Sequence, residues 1–213
     1  LELELSKRGI PYVLRGGVRF FEQAHIKDVV SFLRILVNTR DEISWRRILR
    51  NIEGIGESTT EEIWSKALSS LSSLNEFVEK DFSSVFSKRG QNGYKKLVSL
   101  LKPLNLLYDS KDSDPQELIE LIIENGYRQY LLANFDNAEE RLDDLEELMR
   151  FASRAKNLAH FISEITLREE FKKDAHIAKG GEAESLVLST IHQAKGLEWD
   201  VVFILRMAAG MFP

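Results

Sequence analysis

Apolar residues recur with helical spacing most regularly between residues 26 and 37. They stand at positions i, i+3, i+4, i+7, i+10 and i+11, and the residues are Ile26, Val29, Val30, Leu33, Leu36 and Val37. A helix with 3.6 residues per turn places these positions on one face. The pattern therefore predicts an amphipathic helix that buries this face.

The next segment predicts a second helix followed by a tight turn. Trp45, Ile48 and Leu49 have helical spacing, and the run after them, "NIEGIGEST", contains two glycines. Ser58 or Thr59 is predicted to cap the following helix, because a side-chain oxygen can accept a hydrogen bond from a first-turn amide. The segment thus predicts two helices joined by a glycine turn.

Residues 60–170 predict one helix after another without an internal repeat. Asp114 followed by Pro115 is typical of a helix start, and Gly126 is typical of a helix end. The mixed run 172–184, "KKDAHIAKGGEAE", predicts an exposed linker. The middle of the chain is therefore predicted to be an α-helical module.

Strands are predicted near both ends of the chain. The runs are "PYVL" at 11–14, "SLVLSTI" at 185–191 and "DVVFIL" at 200–205. The last two are β-branched and apolar, which is typical of strands buried on both faces of a parallel sheet. The predicted fold is α/β with a large all-α insertion: a partial parallel sheet plus a helical subdomain, mostly helical overall.

Composition limits the classes of protein that fit this pattern. The 213 residues are 43% hydrophobic and 30% charged, which is enough to bury a core. The formal net charge of -5 argues against a general polyanion binder, because Lys and Arg supply most of the affinity for phosphates. Any nucleic-acid contact is therefore expected to be local.

The cysteine count and the hydropathy of the chain add two expectations about where it works. The chain has no cysteine, which excludes disulfides and thiolate metal sites and fits a reducing cytoplasm. No apolar run approaches the roughly 20 residues needed to span a bilayer. The chain begins without Met and ends on "GMFP" after a strand-like run, so we expect a fragment of a larger protein.

Polar side chains that suit nucleotide chemistry follow the apolar run 186–188, in the loop "STIHQAKGLEW". In an α/β sheet, ligands bind beyond the carboxyl ends of the strands. A Thr hydroxyl can donate to a phosphate, a Lys adds a point charge, a Gly permits close approach and a Glu can accept from a ribose hydroxyl. On residue types alone, however, a solvated polar loop is the favoured interpretation.

Longer runs around these residues resemble a known family. The run "LVLSTIHQAKGLEWDVVFIL" resembles motif V of superfamily 1A DNA helicases of the UvrD/Rep/PcrA type, and "GMFP" matches the segment after it. The run "GIPYVLRGGVRFFEQAHIKDVVSFLRILVN" resembles the segment after motif IV of the same family. The two matches occur in the family's order, so the resemblance covers nearly the whole chain.

This resemblance implies a domain organisation. Residues 1–40 correspond to the N-terminal part of a RecA-like 2A domain, residues 41–183 to a helical 2B subdomain inserted into it, and residues 184–213 to the motif V part of 2A. The other RecA-like domain, 1A, is expected elsewhere in the same polypeptide.

The resemblance also implies roles for individual residues. The nucleotide-binding and coupling residues are Thr190, His192, Lys195, Gly196 and Glu198. The single-strand contacts are Asn38, Thr190 and His192. The duplex contacts are Gly54, Ile55, Gly56, Ser58 and Thr59, with the arginines Arg46, Arg47 and Arg50 as possible phosphate partners.

Several of these residues have an ordinary structural alternative. Asn38 also fits a helix-terminal residue in the left-handed conformation. The "GIGEST" run and its arginines also fit a helix-turn-helix joint with a capping hydroxyl and solvated arginines. Phe20, Phe21 and Phe32 fit base-stacking platforms or, for two of them, the core.

The resemblance implies part of an ATP-dependent DNA helicase that moves 3' to 5' on single strands, is cytoplasmic and nucleoid-associated, and is connected with DNA repair. ATP and Mg2+ are implied for the intact enzyme, and none is expected bound to this chain. The phosphate-loop pattern G-x-x-x-x-G-K-[ST] does not occur here, so no catalytic residue, no metal ligand and no ATPase activity are expected of the chain alone. DNA is the expected partner, and no membrane is.

Two places in the chain depart from the family pattern. Glu53 stands where the family commonly has a basic residue, and Arg206 with Ala208 and Ala209 replaces a small residue followed by acidic ones.

A helicase-nuclease subunit is an alternative function with the same chemistry, although Ala194 and the GIG run favour the UvrD-like branch. A non-catalytic helical interaction module is the alternative from a different class. A phosphate loop upstream and an arginine-bearing motif downstream of this chain are expected if it is a helicase.

Overall fold

The computed structural model describes residues 1–15, 20–110, 114–174 and 185–205. Its helices are α1 (Glu2–Lys7), α2 (Ala24–Val37), α3 (Glu42–Arg50), α4 (Glu57–Lys66), α5 (Leu74–Glu79), α6 (Gly90–Asp109), α7 (Pro115–Ile122), α8 (Arg128–Asn134), α9 (Ala138–Ala152), α10 (Leu158–Asp174) and α11 (Ile191–Ala194). Its strands are β1 (Tyr12–Arg15) and β2 (Leu186–Ser189). The predicted class, a mostly helical α/β fold with a small parallel sheet, is confirmed.

The chain divides into two compact units. One comprises residues Leu1–Arg19 and Lys179–Pro213, and the other comprises Phe20–Ala178. The helical unit thus includes α2, which packs against α3, α7, α9 and α10. The sequence-based boundary lies at residue 40 instead, and the division into 1–40, 41–183 and 184–213 stays a prediction.

The two strands pair in parallel although a long helical segment separates them in sequence. Tyr12 lies opposite Leu186, and the amide of Leu186 donates to the carbonyl of Pro11 at 3.0 Å. This pairing confirms the predicted strands at 11–14 and 185–191. Parallel strands need a crossover connection, and in this chain the helical unit lies within that connection.

The predicted third strand at 200–205 is not formed. Residues 201–205 have no regular structure, and their five side chains are 59% to 78% exposed. A strand requires a neighbour that takes up its backbone hydrogen bonds, and among the described residues only β1 and β2 pair with each other. The expectation that β2 is buried on both faces is also wrong, since Leu186 is 40% exposed.

Several helix ends follow the predicted chemistry. The carboxylate of Asp114 accepts from the amide of Gln116 at 2.9 Å, and Pro115 is the first residue of α7. Gly126 has a φ of +137°, which interrupts the helical backbone between α7 and α8. Gly126 therefore produces a kink between two helices, and α8 resumes two residues later.

The face predicted for α2 forms the centre of the helical unit. Ile26, Val29 and Leu33 are fully buried. Phe20, Phe21 and Phe32 are 8%, 5% and 7% exposed, so all three belong to the core and none is available to stack on a base. No described helix is both long and apolar enough to cross a bilayer.

A buried carboxylate on α2 links three helical segments. Asp28, which is 6% exposed, accepts from Nε of Arg47 at 2.6 Å and from the hydroxyl of Tyr127 at 2.7 Å. Arg47 belongs to α3, and Tyr127 stands at the kink before α8. Burial and the charge of Asp28 raise the pKa of the Tyr127 hydroxyl far above its usual value. The network thus keeps Tyr127 neutral while it holds α2, α3 and the kink together.

Replacing Tyr127 by Phe tests this network. The variant leaves one oxygen of a buried carboxylate without its donor, which is expected to lower the free energy of unfolding by about 1–3 kcal/mol in urea titrations. The pH dependence should change as well. In the native protein, stability falls as pH rises above about 10, where the unfolded chain ionises this tyrosine and the folded chain does not. The Phe variant should lose that part of the decline.

Tyr130→Phe is the matched control for this change. The Tyr130 hydroxyl makes only a long hydrogen bond, 3.4 Å, to Oδ1 of Asn51. Its removal is expected to cost less than about 1 kcal/mol. Equal losses in the two variants would contradict a special role for the Asp28 network.

Candidate nucleic-acid interface

The glycine turn predicted between two helices lies between α3 and α4. The amide of Ile55 donates to the carbonyl of Ile52 at 3.1 Å, and Gly54 has a φ of +83°, a conformation that glycine adopts at little cost. Ile55 is 7% exposed, whereas Gly54 and Gly56 are exposed. The turn therefore anchors one apolar side chain and presents its glycine backbone to solvent.

The start of α4 differs from the prediction at Ser58 and Thr59. Gly56 is the N-cap residue, with an extended backbone and no side-chain cap, and α4 begins at Glu57. The first intrahelical bond runs from the amide of Thr60 to the carbonyl of Gly56 at 2.9 Å. Ser58 and Thr59 thus lie inside the first turn and do not cap it, because the N-cap is Gly56, two residues before Ser58.

This geometry makes the start of α4 a place for an anion. In any α-helix the first amides lack intrahelical acceptors, and the helix dipole adds partial positive charge there. Here no side chain occupies those amides from the N-cap position, since it is a glycine. Acidic side chains oppose this effect: Glu53 and Glu57 are both exposed beside the turn.

The three arginines of α3 are engaged in ion pairs. Arg46 pairs with Glu61 of α4 and with Glu42, and the hydrogen bond that Arg46 donates to Glu61 is the main reason that the pKa of Arg46 is raised. Arg50 pairs with Glu57 of α4.

Arg47 points to the buried carboxylate of Asp28 and to the carbonyl of Ala24. Each of these arginines is therefore paired with a carboxylate, although Arg50 stays half exposed: two of them link α3 to α4, and the third links α3 to α2.

The first turns of α6 pack directly against the glycine turn, which the sequence did not reveal. A Cβ on Gly54 would lie 2.9 Å from Cβ of Arg89, and a Cβ on Gly93 would lie 2.0 Å from Cγ2 of Ile52. Gly90 lies against Ile55, with 3.3 Å between its Cβ position and Cγ1. The only feature of the sequence that could have indicated this contact is the pair of glycines just after the basic residues Lys88 and Arg89.

Asn38 is the C-cap residue of α2 and is exposed. Its φ of -137° is extended, so the alternative of a left-handed helix end is wrong. Its Oδ1 accepts from the amide of Arg40 at 3.1 Å, which orients the side chain and leaves its amide nitrogen for another acceptor. The Asn38 side chain is therefore exposed and held in one orientation at the end of α2.

The loop "STIHQAKGLEW" follows β2 as predicted. Thr190 caps the short helix α11, its hydroxyl oxygen accepting from the amide of Gln193 at 3.3 Å. The hydroxyl proton of Thr190 remains available to a phosphate, because capping uses only a lone pair. Lys195, Gly196 and Glu198 are exposed, and Gly196 has a φ of +81°.

Other predicted positions in this part of the chain are described less fully. His192 belongs to α11, and its side chain lies outside the described part of the structure, as do Arg206, Ala208, Ala209 and the linker residues 175–184. The part of the linker at 172–174 is helical and ends α10. The described residues contain no group of three His, Cys, Asp or Glu side chains able to hold a metal ion.

Comparison with known proteins gives matches that cover both the glycine turn and the loop after β2. The family model described as the UvrD-like helicase C-terminal domain matches residues 1–213. The ATP-dependent DNA helicase PcrA of Staphylococcus aureus strain Mu50 is 30% identical over 229 residues, and that of Staphylococcus epidermidis strain RP62A is 31% identical over 228 residues. Each match covers 100% of this chain and 30% of the relative. The chain thus spans less than a third of the length of these relatives.

The two glycines of the turn are expected to respond differently to alanine. Gly54→Ala forces a side chain into a positive φ and against Cβ of Arg89, so we expect a loss of about 2 kcal/mol in the free energy of unfolding. Gly56→Ala meets nothing within 4 Å at a negative φ, and its effect is expected to stay within about 0.5 kcal/mol. Urea unfolding followed by circular dichroism measures both, and equal losses would contradict the described turn.

Proposed function

The chain belongs to the UvrD-like helicase C-terminal domain family, and from this premise we propose that it is part of an ATP-dependent DNA helicase. In this proposal the enzyme moves 3' to 5' on a single strand and unwinds the duplex ahead of it. The present residues supply the duplex-contacting helical subdomain and the loop that couples ATP to the single strand. The missing RecA-like domain supplies the phosphate loop.

The observation that carries this proposal is the glycine turn at the start of α4. An unwinding enzyme must hold duplex DNA without reading its sequence, and backbone amides can do so by binding phosphates. Gly54 permits the turn, buried Ile55 anchors it, and Gly56 leaves the first amides of α4 uncovered. Duplex binding at this turn needs no large positive charge, which agrees with a net charge of -5.

The coupling role rests on the parallel pairing of β1 and β2. This pairing holds the start of the loop at the end of a strand, where ligands of α/β proteins bind. Thr190 and Glu198 are exposed and carry the hydroxyl and carboxylate that suit phosphate and ribose. We assign Thr190, His192, Lys195, Gly196 and Glu198 to the nucleotide cleft, and Asn38, Thr190 and His192 to the single strand.

ATP and Mg2+ belong to the intact enzyme in this proposal. When bound, ATP supplies the phosphoryl transfer that drives movement. The contribution of this chain is to orient the nucleotide and to transmit its presence: Glu198 accepts from the ribose, and the Thr190 hydroxyl donates toward the strand or phosphate. The proposed site of action is the cytoplasm, on DNA.

Duplex binding by the chain is tested with a size series at Gly56. The variants Gly56→Ala and Gly56→Val place growing side chains beside the first amides of α4, at an exposed position where a Cβ meets nothing within 4 Å. We expect the affinity for a fluorescein-labelled hairpin duplex, measured by anisotropy, to fall progressively, by about tenfold for Val. This corresponds to about 1.4 kcal/mol of lost amide-phosphate contact.

The matched control is Ser110→Val, at an exposed residue with an extended backbone just past the far end of α6. It lies about 30 Å along the helix from the residues that touch the turn. Its affinity should equal that of the unaltered chain. If the Gly56 series has no effect on binding, the assignment of duplex contact to this turn is wrong.

ATP hydrolysis is expected to be absent from this chain alone. The 213 residues contain no phosphate-loop pattern, so nothing in them cradles the β- and γ-phosphates. Phosphate release with and without single-stranded DNA should remain at the rate of the buffer. Hydrolysis that DNA stimulates would contradict the proposed division of roles between the two RecA-like domains.

A further inference from the structure

The start of α6 is the most basic stretch of an otherwise acidic chain. Residues 82–108 contain no Asp or Glu, and their charged residues are Lys88, Arg89, Lys95, Lys96 and Lys102. Such a stretch has no internal counterions of its own. The repulsion between these positive side chains is reduced when an external anion binds.

Three of these cations, Lys88, Arg89 and Lys96, face the glycine turn or flank it. Arg89 contacts Gly54 through its Cβ, and Arg89, Asn92 and Lys96 have the spacing i, i+3, i+7 that places them on one face of α6. The side chains of Arg89, Asn92 and Lys96 are exposed, and Lys88 precedes them in the chain. We call Arg89, Asn92 and Lys96, with Lys88, the basic face.

The basic face borders the turn because small residues bring the two segments together. Gly90 lies against Ile55 and Gly93 against Ile52, at distances that leave no room for a side chain on Gly93. The uncovered amides of α4 and the basic face therefore belong to one surface of the helical unit. Seven residues of helix span about 10 Å, which corresponds to roughly three phosphates along one strand of a duplex.

The cations of the basic face are available to bind a phosphate, whereas those of α3 are already engaged in ion pairs. Arg46 and Arg50 are paired with carboxylates of α4. Within the described residues, no carboxylate lies at ion-pair distance from Lys88, Arg89 or Lys96. A phosphate can thus bind the basic face without first displacing a protein carboxylate.

Lys95 of the same helix has a different environment. The pKa of Asp81 is lowered, first by the hydrogen bond from the amide of Ser83 and then in part by the charge of Lys95. Lys95 therefore lies in the field of the Asp81 carboxylate and is not counted in the basic face.

We propose that the basic face of α6 continues the duplex-binding surface of the glycine turn and contacts the phosphates of one DNA strand. The proposal rests on the function proposed above and replaces the arginines of α3 as the phosphate partners of that surface. The ligand is duplex DNA recognised by its backbone, with no base contact. In this arrangement the turn amides hold one phosphate, and Arg89 and Lys96 hold the next ones along the strand.

The test is a charge-matched pair of double variants of the full 213-residue chain. Arg89→Gln with Lys96→Gln removes two charges from the basic face and keeps the stem of residue 89 that packs on Gly54. Lys102→Gln with Lys156→Gln removes two charges from exposed residues farther away. Circular dichroism and thermal unfolding establish that both variants fold like the unaltered chain.

Hairpin-duplex affinity is measured by anisotropy over a series of salt concentrations. The basic-face variant is expected to bind about tenfold more weakly at low salt, and the slope of log K against log salt should fall by about two, one for each lost phosphate contact. The control variant should change the affinity by less than about twofold and leave the slope unaltered.

Other outcomes would overturn the proposal in distinguishable ways. Equal weakening by both variants shows general attraction by net charge and overturns the basic face as a site. An equal loss on a single strand of the same length overturns the duplex assignment. If Gly56→Val weakens binding and the basic-face variant does not, the basic face is wrong while the glycine turn stands. If the unaltered chain does not bind the hairpin, both proposals fail.

Discussion

The helical unit depends on one buried carboxylate, Asp28. A charge removed from water is stable only when it is paired and hydrogen-bonded, and Asp28 meets this condition with Arg47 of α3 and Tyr127 at the kink before α8. Because the partners come from distant parts of the chain, satisfying this one group fixes the direction of α3 relative to α2. The glycine turn follows α3 directly, so its position depends on the same interaction.

The turn itself is held from its other side by α6. Gly90 and Gly93 allow Ile55 and Ile52 to approach the helix closely, and Gly54 leaves space for Arg89. Ion pairs from Arg46 and Arg50 to α4 close the third side. A turn fixed by a buried side chain, by close glycine packing and by ion pairs presents its amides without further ordering on binding. This property suits the duplex contact proposed for the turn.

The membership of the chain in a helicase family gives this geometry a context, and the structure shows how the charges around the turn are paired. Arginines near the turn were the natural phosphate partners on the basis of sequence. Each of them is engaged with a carboxylate, and breaking a pair to bind a phosphate exchanges one salt bridge for another with little net gain. Beside the turn, the cations that have no ion pair within the described part of the chain lie on α6, where Arg89 is 35 residues beyond Gly54.

The sequence by itself determined the local structure and the family. The helical spacing from Ile26 to Val37, the Asp114–Pro115 start and the strands at 11–14 and 185–191 all formed where they were predicted, because periodicity and capping act over a few residues. Tertiary structure decided what depends on distant partners: the absence of a strand at 200–205, the start of α4 at Glu57, the extended backbone of Asn38 and the pairing of the arginines. A strand needs a neighbour and a charge needs a counterion, and only the folded chain specifies which groups meet. For the same reason the contact between the glycine turn and α6 emerged only from the structure, although each of its glycines is visible in the sequence.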